Sequence, residues 1–355
     1  MLDEPQFRSA QVMIACHDIG AALAFYVERL GFRVDSIFPA ESPTVAVLRG
    51  YGIRLRLDPQ ATSAVTLRLL CDEPDRIAEG PLVAPDGTIV ELFDANPPLV
   101  LPPIQQSFVL QRAADDASWT VGRAGMRYRD LIPDRQGGRF VGSHIVIPDA
   151  GPVPDYVHFH NVRFQMIYCY RGWVRLVYED QGEPFIMRAG DCVLQPPQIR
   201  HRVLESSAGL EVIELGCPAL HETFADPELP LPNAVVNPSR EFSGQRFVFH
   251  QAQGATWEPS PGGFETRRFG LREATDGLAE ASVLRTTDLD APGEMWSHNR
   301  EFEFLFVLDG SVALRHGDET STLMIGDNVV VPAGMRYSLV DASADLQMLQ
   351  VALPG

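Results

Sequence analysis

Between residues 10 and 57 the apolar positions follow two periods. Ala10–Ala15 is a short apolar run that reads as a strand. Within Ile19–Leu30, Leu23, Phe25, Tyr26 and Leu30 recur at helical spacing, and Gly31 suits the position just past a helix end. Phe32–Phe38, Thr44–Leu48 and Ile53–Leu57 read as three further strands. The predicted order is strand, helix, strand, strand, strand. Pro97, Pro98, Pro102 and Pro103 then mark a semi-rigid linker over residues 98–120. Beyond it helical periodicity largely vanishes. Short apolar runs alternate with Gly, Pro and Asp turns as far as Gly355, a pattern that predicts an all-β architecture. Pro227, Pro230, Pro232 and Pro238 mark a second linker over residues 225–240.

The β region repeats itself. Gly125 and Gly263, His160 and His298, Gln165 and Glu303, and Gly172 and Gly310 all stand at one constant offset. Gly190 and Gly326, and Pro196 and Pro332, share a second, slightly shorter offset. Two homologous β-barrels in tandem are the simplest account. The expected domains are therefore 1–97, 121–224 and 241–355.

The first barrel holds His158-Phe159-His160, then Gln165, then His201. Side chains alternate along a strand, so His158 and His160 share a face. Neutral imidazoles suit divalent transition metals. Gly172 lies seven positions after Gln165, and Gly190, Pro196 and His201 follow at the spacing G-x5-P-x4-H. These residues resemble the two motifs of the cupin superfamily, with His158, His160 and His201 on its three histidine ligands and Gln165 on its usual glutamate. Gln198 and Glu205 replace the second motif's glycine and asparagine. The resemblance implies one divalent ion per chain, iron or manganese ahead of nickel or zinc, held by His158, His160, Gln165 and His201. It implies a metal-dependent enzyme acting on a small oxygen-rich molecule (a phenol, diketone or hydroxy acid): a dioxygenase first, a non-redox lyase or isomerase second, and a binding or sensor protein third. Glutamine cancels no metal charge, which favours Lewis-acid chemistry toward an anionic or enolic oxygen. Alternation from the ligands sends Tyr156 and Cys169 into the same pocket. Arg163, in the turn between ligand-bearing segments, is placed to reach an anionic substrate group. In the second barrel His298 and Glu303 remain, but Trp296 and Tyr337 stand where two histidines belong. That barrel is expected to be degenerate and to bind no metal.

In the first unit, Asp18, Leu23-Ala24-Phe25-Tyr26 and Leu30-Gly31-Phe32, with Pro85-Asp86-Gly87 and Glu91-Leu92-Phe93, resemble the vicinal oxygen chelate (glyoxalase/bleomycin-resistance) superfamily. The resemblance implies a βαβββ module of the α+β kind. Gln11 and Glu91 fall on its ligand positions, but Arg56 places a cation where an anion is needed, so this unit too is expected to be degenerate. The expected fold is thus mainly β: an N-terminal βαβββ unit followed by two tandem cupin barrels.

Composition narrows the partners. The 29 basic and 47 acidic residues give a net charge of −18, which repels phosphate backbones and argues against nucleic acid. The chain contains no lysine, which excludes Schiff-base and P-loop lysine chemistry. No apolar run approaches the ~18 residues of a membrane helix. Met1-Leu2-Asp3-Glu4 lacks the basic start of a signal peptide. Cys16, Cys71, Cys169, Cys192 and Cys217 form no C-x-x-C pair, as expected of reduced thiols in a cytoplasmic protein. The expected partner is a small-molecule substrate, with the chain a monomer or homodimer.

Overall fold

A computed structural model describes residues 11–38, 44–62, 65–95, 97–114, 119–122, 125–226, 228–291 and 293–354. The acidic start, Ala10 and Pro227 lie outside the described residues. The chain divides into two compact units, Met1–Pro98 and Leu99–Gly355.

In the first unit, strand Val12–Ala15 leads to helix Ile19–Leu23, which Asp18 caps by accepting from the Ala21 amide at 2.9 Å. The helix widens into a π turn over Ala24–Arg29. Strands Arg33–Phe38, Val45–Gly50 and Ile53–Asp58 follow, and the four strands form one sheet with Val12–Ala15 parallel to Ile53–Asp58. Phe25, Tyr26 and Leu30 pack from the helix onto Leu48, Leu55 and Leu57 of the sheet, the apolar set that the two periods pick out. Strands Thr66–Cys71, Leu82–Val83 and Ile89–Asp94 make a separate three-stranded sheet with one short helix, Pro74–Ile77.

The second unit is mainly β and contains both halves of the repeat. A seven-stranded sheet and a six-stranded sheet enclose the interior of the first half. Along strand Phe164–Arg171, Phe164, Met166 and Tyr168 join a core shared with the second half, while Ile167 and Cys169 turn into the first half's own interior. Strand Phe302–Asp309 repeats this division: Phe302, Phe304 and Phe306 face the shared core, and Leu305 and Val307 face inward. With both faces buried, these strands read as near-continuous apolar runs. Phe140 stacks on Phe302 at 4.1 Å between ring centres, and Tyr168 on Phe269 at 5.9 Å.

The halves also exchange strands. Val109–Gln111, within the stretch expected to be linker, pairs with Asn328–Val330 of the second half. Val248–His250, within the expected second barrel, pairs with Cys192–Leu194 of the first. Each arrival covers a sheet edge that would otherwise stand open. Matching bonds secure both. Asp327 accepts from the Ala113 amide at 2.8 Å, and Asp191 from the Ala252 amide at 2.8 Å. Arg129 donates to the Gly326 carbonyl at 3.0 Å, and Arg267, its counterpart in the repeat, to the Gly190 carbonyl at 3.4 Å. Gly172 and Gly310 hold φ of +78° and +70°, and a Cβ at either would run into Ser207 or Ser343. The repeat keeps glycine there because any side chain would meet both strain and a clash.

Candidate metal centre

Strand His158–His160 carries two of the histidines inward and turns Phe159 outward onto Phe224, at 5.1 Å between rings. His201 opens strand His201–Ser206 directly opposite His158. All three are buried, and one ring nitrogen from each lies within 4.8 Å of the others. Among the described residues this is the one cluster of three or more His, Cys, Asp or Glu whose ligand atoms converge in this way.

The outer nitrogens are already committed. His158 Nδ1 bonds the Tyr156 carbonyl at 2.8 Å, and His201 Nδ1 the Ile199 carbonyl at 3.0 Å. A carbonyl only accepts, so both Nδ1 atoms carry the proton and both Nε2 atoms keep a lone pair. His160 Nδ1 lies 3.3 Å from Thr223 Oγ1. The two carbonyl bonds fix tautomer and ring orientation for His158 and His201, as metal-ligating histidines require, and the Thr223 contact holds the His160 ring. His201 Nε2 meets Gln195 Nε2 at 3.0 Å, and Gln195 Oε1 accepts from Tyr178 at 3.1 Å. A metal ion at His201 would replace the Gln195 contact.

The histidines open onto a cavity of about 80 Å³ whose walls include Met126, Ile145, Val174, Leu176, Met187 and Val212. Gln165 and Glu214 line the same cavity, and Gln165 Nε2 donates to Glu214 Oε1 at 2.8 Å. Tyr178 lies in its wall, and burial, reinforced by the Glu214 charge, pushes its hydroxyl pKa well above the usual value. The three imidazoles fit a divalent ion: their ligand nitrogens converge in a largely apolar chamber that Gln165 also lines.

The other sequence candidates are placed elsewhere. Arg163 does not line the cavity; its guanidinium bonds Glu301 of the second half at 2.7 Å, because the turn that carries it faces that half. Cys169 does point inward but lies beyond the cavity in the apolar core, where its thiol donates to the Arg171 and Gly172 carbonyls. Burial, aided by the Asp191 charge, pushes that thiol up to about 12. Tyr156 is 42% exposed and serves His158 through its backbone carbonyl. Sequence reasoning missed Gln195 and Tyr178, which contact His201, and Glu214, which lines the same cavity; cross-strand packing brings all three there. It also missed His221, whose ring stands 5.3 Å from that of His160.

In the second half, His298 Nε2 donates to the Val331 carbonyl at 3.0 Å. The buried Glu303 carboxylate accepts from Tyr337 at 2.7 Å, Gln350 at 3.0 Å and Arg300 at 3.2 Å. Trp296 and Tyr337 are bridge partners whose rings pack edge to face at 5.8 Å. In the first unit Glu91 lies 3.9 Å from Arg68, and Arg56 pairs with Asp58 at 3.0 Å.

No family model matches the chain, and no curated protein matches its sequence. Solved structures do match the fold. The E. coli protein Ylba superposes with a TM-score of 0.52 at 12% identity, over 72% of this chain and 94% of its own. A variant of salicylate 1,2-dioxygenase from Pseudoaminobacter salicylatoxidans gives 0.52 at 16% identity, over 72% and 87%. A variant of Bacillus subtilis oxalate decarboxylase gives 0.50 at 15% identity, over 72% and 78%. These neighbours are cupin-superfamily proteins, and the chain shares the cupin fold with them.

Proposed function

We propose that this protein is a metal-dependent cupin enzyme, most simply a dioxygenase, acting on a small oxygen-rich molecule at His158, His160, Gln165 and His201. The observation that carries the reading is the convergence of three buried histidines on one cavity, with Nδ1 of His158 and His201 tied down behind them. When bound, a divalent ion, iron or manganese ahead of nickel or zinc, supplies Lewis acidity and a redox partner for oxygen. The chain holds the imidazoles in place, and the apolar wall excludes bulk water from a bound anion. A volume of about 80 Å³ is far below the ~300–1,000 Å³ of pockets for drug-sized ligands, which favours short hydroxy acids and diketones over larger phenols.

The second reading is a non-redox lyase or isomerase. The neutral Gln165 favours it, because an ion with no anionic ligand is harder to oxidise. Arg163, Tyr156 and Cys169 take no part in either reading. Within this proposal residues 121–224 form the working barrel and 241–355 a degenerate one in which Arg300 supplies the cation beside Glu303. Residues 1–97 form a degenerate vicinal oxygen chelate-like unit, and the protein works in the cytoplasm. Elemental analysis of purified protein, followed by turnover of hydroxy acids and diketones with and without oxygen, tests the function. Turnover at full rate under strict anaerobiosis eliminates the dioxygenase and promotes the lyase or isomerase. Binding without product leaves a sensor.

A further inference from the structure

The two barrels hold the same pair of side chains in opposite order. In the first, the Gln165 amide donates to Glu214 at 2.8 Å; in the second, the Gln350 amide donates to Glu303 at 3.0 Å. Gln165 and Glu303 are separated by the longer offset of the repeat, and Glu214 and Gln350 by the shorter. The strand registers agree: Ile167 lies opposite Glu214 as Leu305 lies opposite Gln350. Each barrel therefore keeps one carboxylate and one carboxamide on the same two strands, and the strand that bears the charge is exchanged.

The surroundings differ in a way that matters. In the second barrel the carboxylate meets Arg300 and Tyr337, so its charge is balanced by the protein itself. In the first barrel no arginine is among the residues lining the cavity. A carboxylate accepts and never donates when ionised, so it can bond only the nitrogen end of the Gln165 amide. That turns the oxygen end of this 2%-exposed side chain away from Glu214, and Gln165 lines the same cavity as His158, His160 and His201.

We propose that Glu214 is a positioning residue that locks the Gln165 carbonyl oxygen toward the three histidines and balances a divalent charge there without ligating it. This rests on the metal-centre reading of the first barrel. The site thereby keeps a neutral ligand next to the ion and a negative charge one hydrogen bond behind it.

Cobalt(II) titrations of the metal-stripped full chain, followed by calorimetry and visible absorption, test this. Wild type is expected to take up one ion per chain. Glu214→Gln should weaken binding by about 10–100-fold, the usual cost of losing such a supporting bond, because a glutamine at 214 bonds either end of the Gln165 amide and carries no charge. The exchange variant Gln165→Glu/Glu214→Gln should restore binding to the wild-type range with an altered absorption band, since the carboxylate then stands at the ligand position. Should Glu214→Gln not fold, the exchange variant carries the test, because it keeps one carboxylate and one carboxamide on the same two strands. Wild-type affinity and spectrum in Glu214→Gln, or an exchange variant with the wild-type spectrum, overturns the inference while leaving the metal centre standing. A wild-type protein that takes up no cobalt, or a His201→Ala variant that takes up as much as wild type, overturns the metal centre itself and the inference with it.

Discussion

Replacing His201 with alanine separates what this side chain does for a metal ion from what it does for the barrel. Structural zinc sites with four protein ligands bind with roughly 10–16 kcal/mol in total, so one of four donors contributes about 3 kcal/mol, or about 100-fold in affinity. The structural loss is distinct. His201 is 5% exposed, stacks on Tyr178 at 5.4 Å and bonds both Ile199 and Gln195 at 3.0 Å. Alanine would leave those two partners unsatisfied beside a void, at a cost of about 2–3 kcal/mol in folding. Equilibrium dialysis against the ion that copurifies, with elemental analysis, reads the first effect, and urea unfolding of the metal-free protein reads the second. The expected result is a folded variant, destabilised without metal, that holds little of the ion at concentrations saturating wild type. Unchanged metal content would refute the reasoning, and so would unchanged content in the His158→Ala/His160→Ala double variant.

Three further outcomes follow from named contacts. Asp191→Ala removes the acceptor of the Arg188 and Ala252 amides, both at 2.8 Å, and Asp327→Ala that of Ala113 at 2.8 Å and Met324 at 2.9 Å. Each should lower the urea-unfolding free energy by about 3 kcal/mol, and a loss below about 1 kcal/mol at either contradicts the account of the exchanged strands. The hydrogen bond from His144 at 2.7 Å holds the Glu211 carboxyl below its usual range despite partial burial. Its folded pKa thus lies below the unfolded value of about 4.3, so its contribution is complete above that pH and is lost as pH falls through the folded value; Glu211→Gln should flatten the acid limb of a stability-against-pH curve. Burial pushes the thiols of Cys16 and Cys217 up to about 11 and that of Cys169 up to about 12, and raises Cys192 as well. A thiol-reactive dye should therefore modify Cys71, which is part exposed, in the native protein and all five cysteines only after unfolding.

Strand periodicity is a local property, and it was legible. Alternation alone puts His158 and His160 on one face, and the structure keeps both buried on it. The mainly-β character of the repeat was legible, because glycines at turns and apolar residues in strands leave their spacing in the chain. The helical segment runs to Arg29 as the apolar spacing predicts, but from Ala24 it is wound as a π-helix, a change of winding that apolar spacing does not encode. The partner of Arg163, Glu301, lies in the other half of the repeat, and a turn seen in sequence does not say which half it faces.

Which residues share a face, where strands start and stop, and which side chains suit a metal were thus written in the order of the amino acids, since each depends on neighbours a few positions away. Cross-strand partnership is decided only when register and closure bring distant segments together. The Gln165–Glu214 bond spans 49 positions, and the strands Val109–Gln111 and Val248–His250 find their edges in the opposite half of the repeat. No local period carries that information: an inward-facing glutamate reads the same whether it meets a histidine, an arginine or a glutamine. Tertiary structure made the choice, because a carboxylate drawn toward the interior is satisfied by whichever donor the packed strands place beside it.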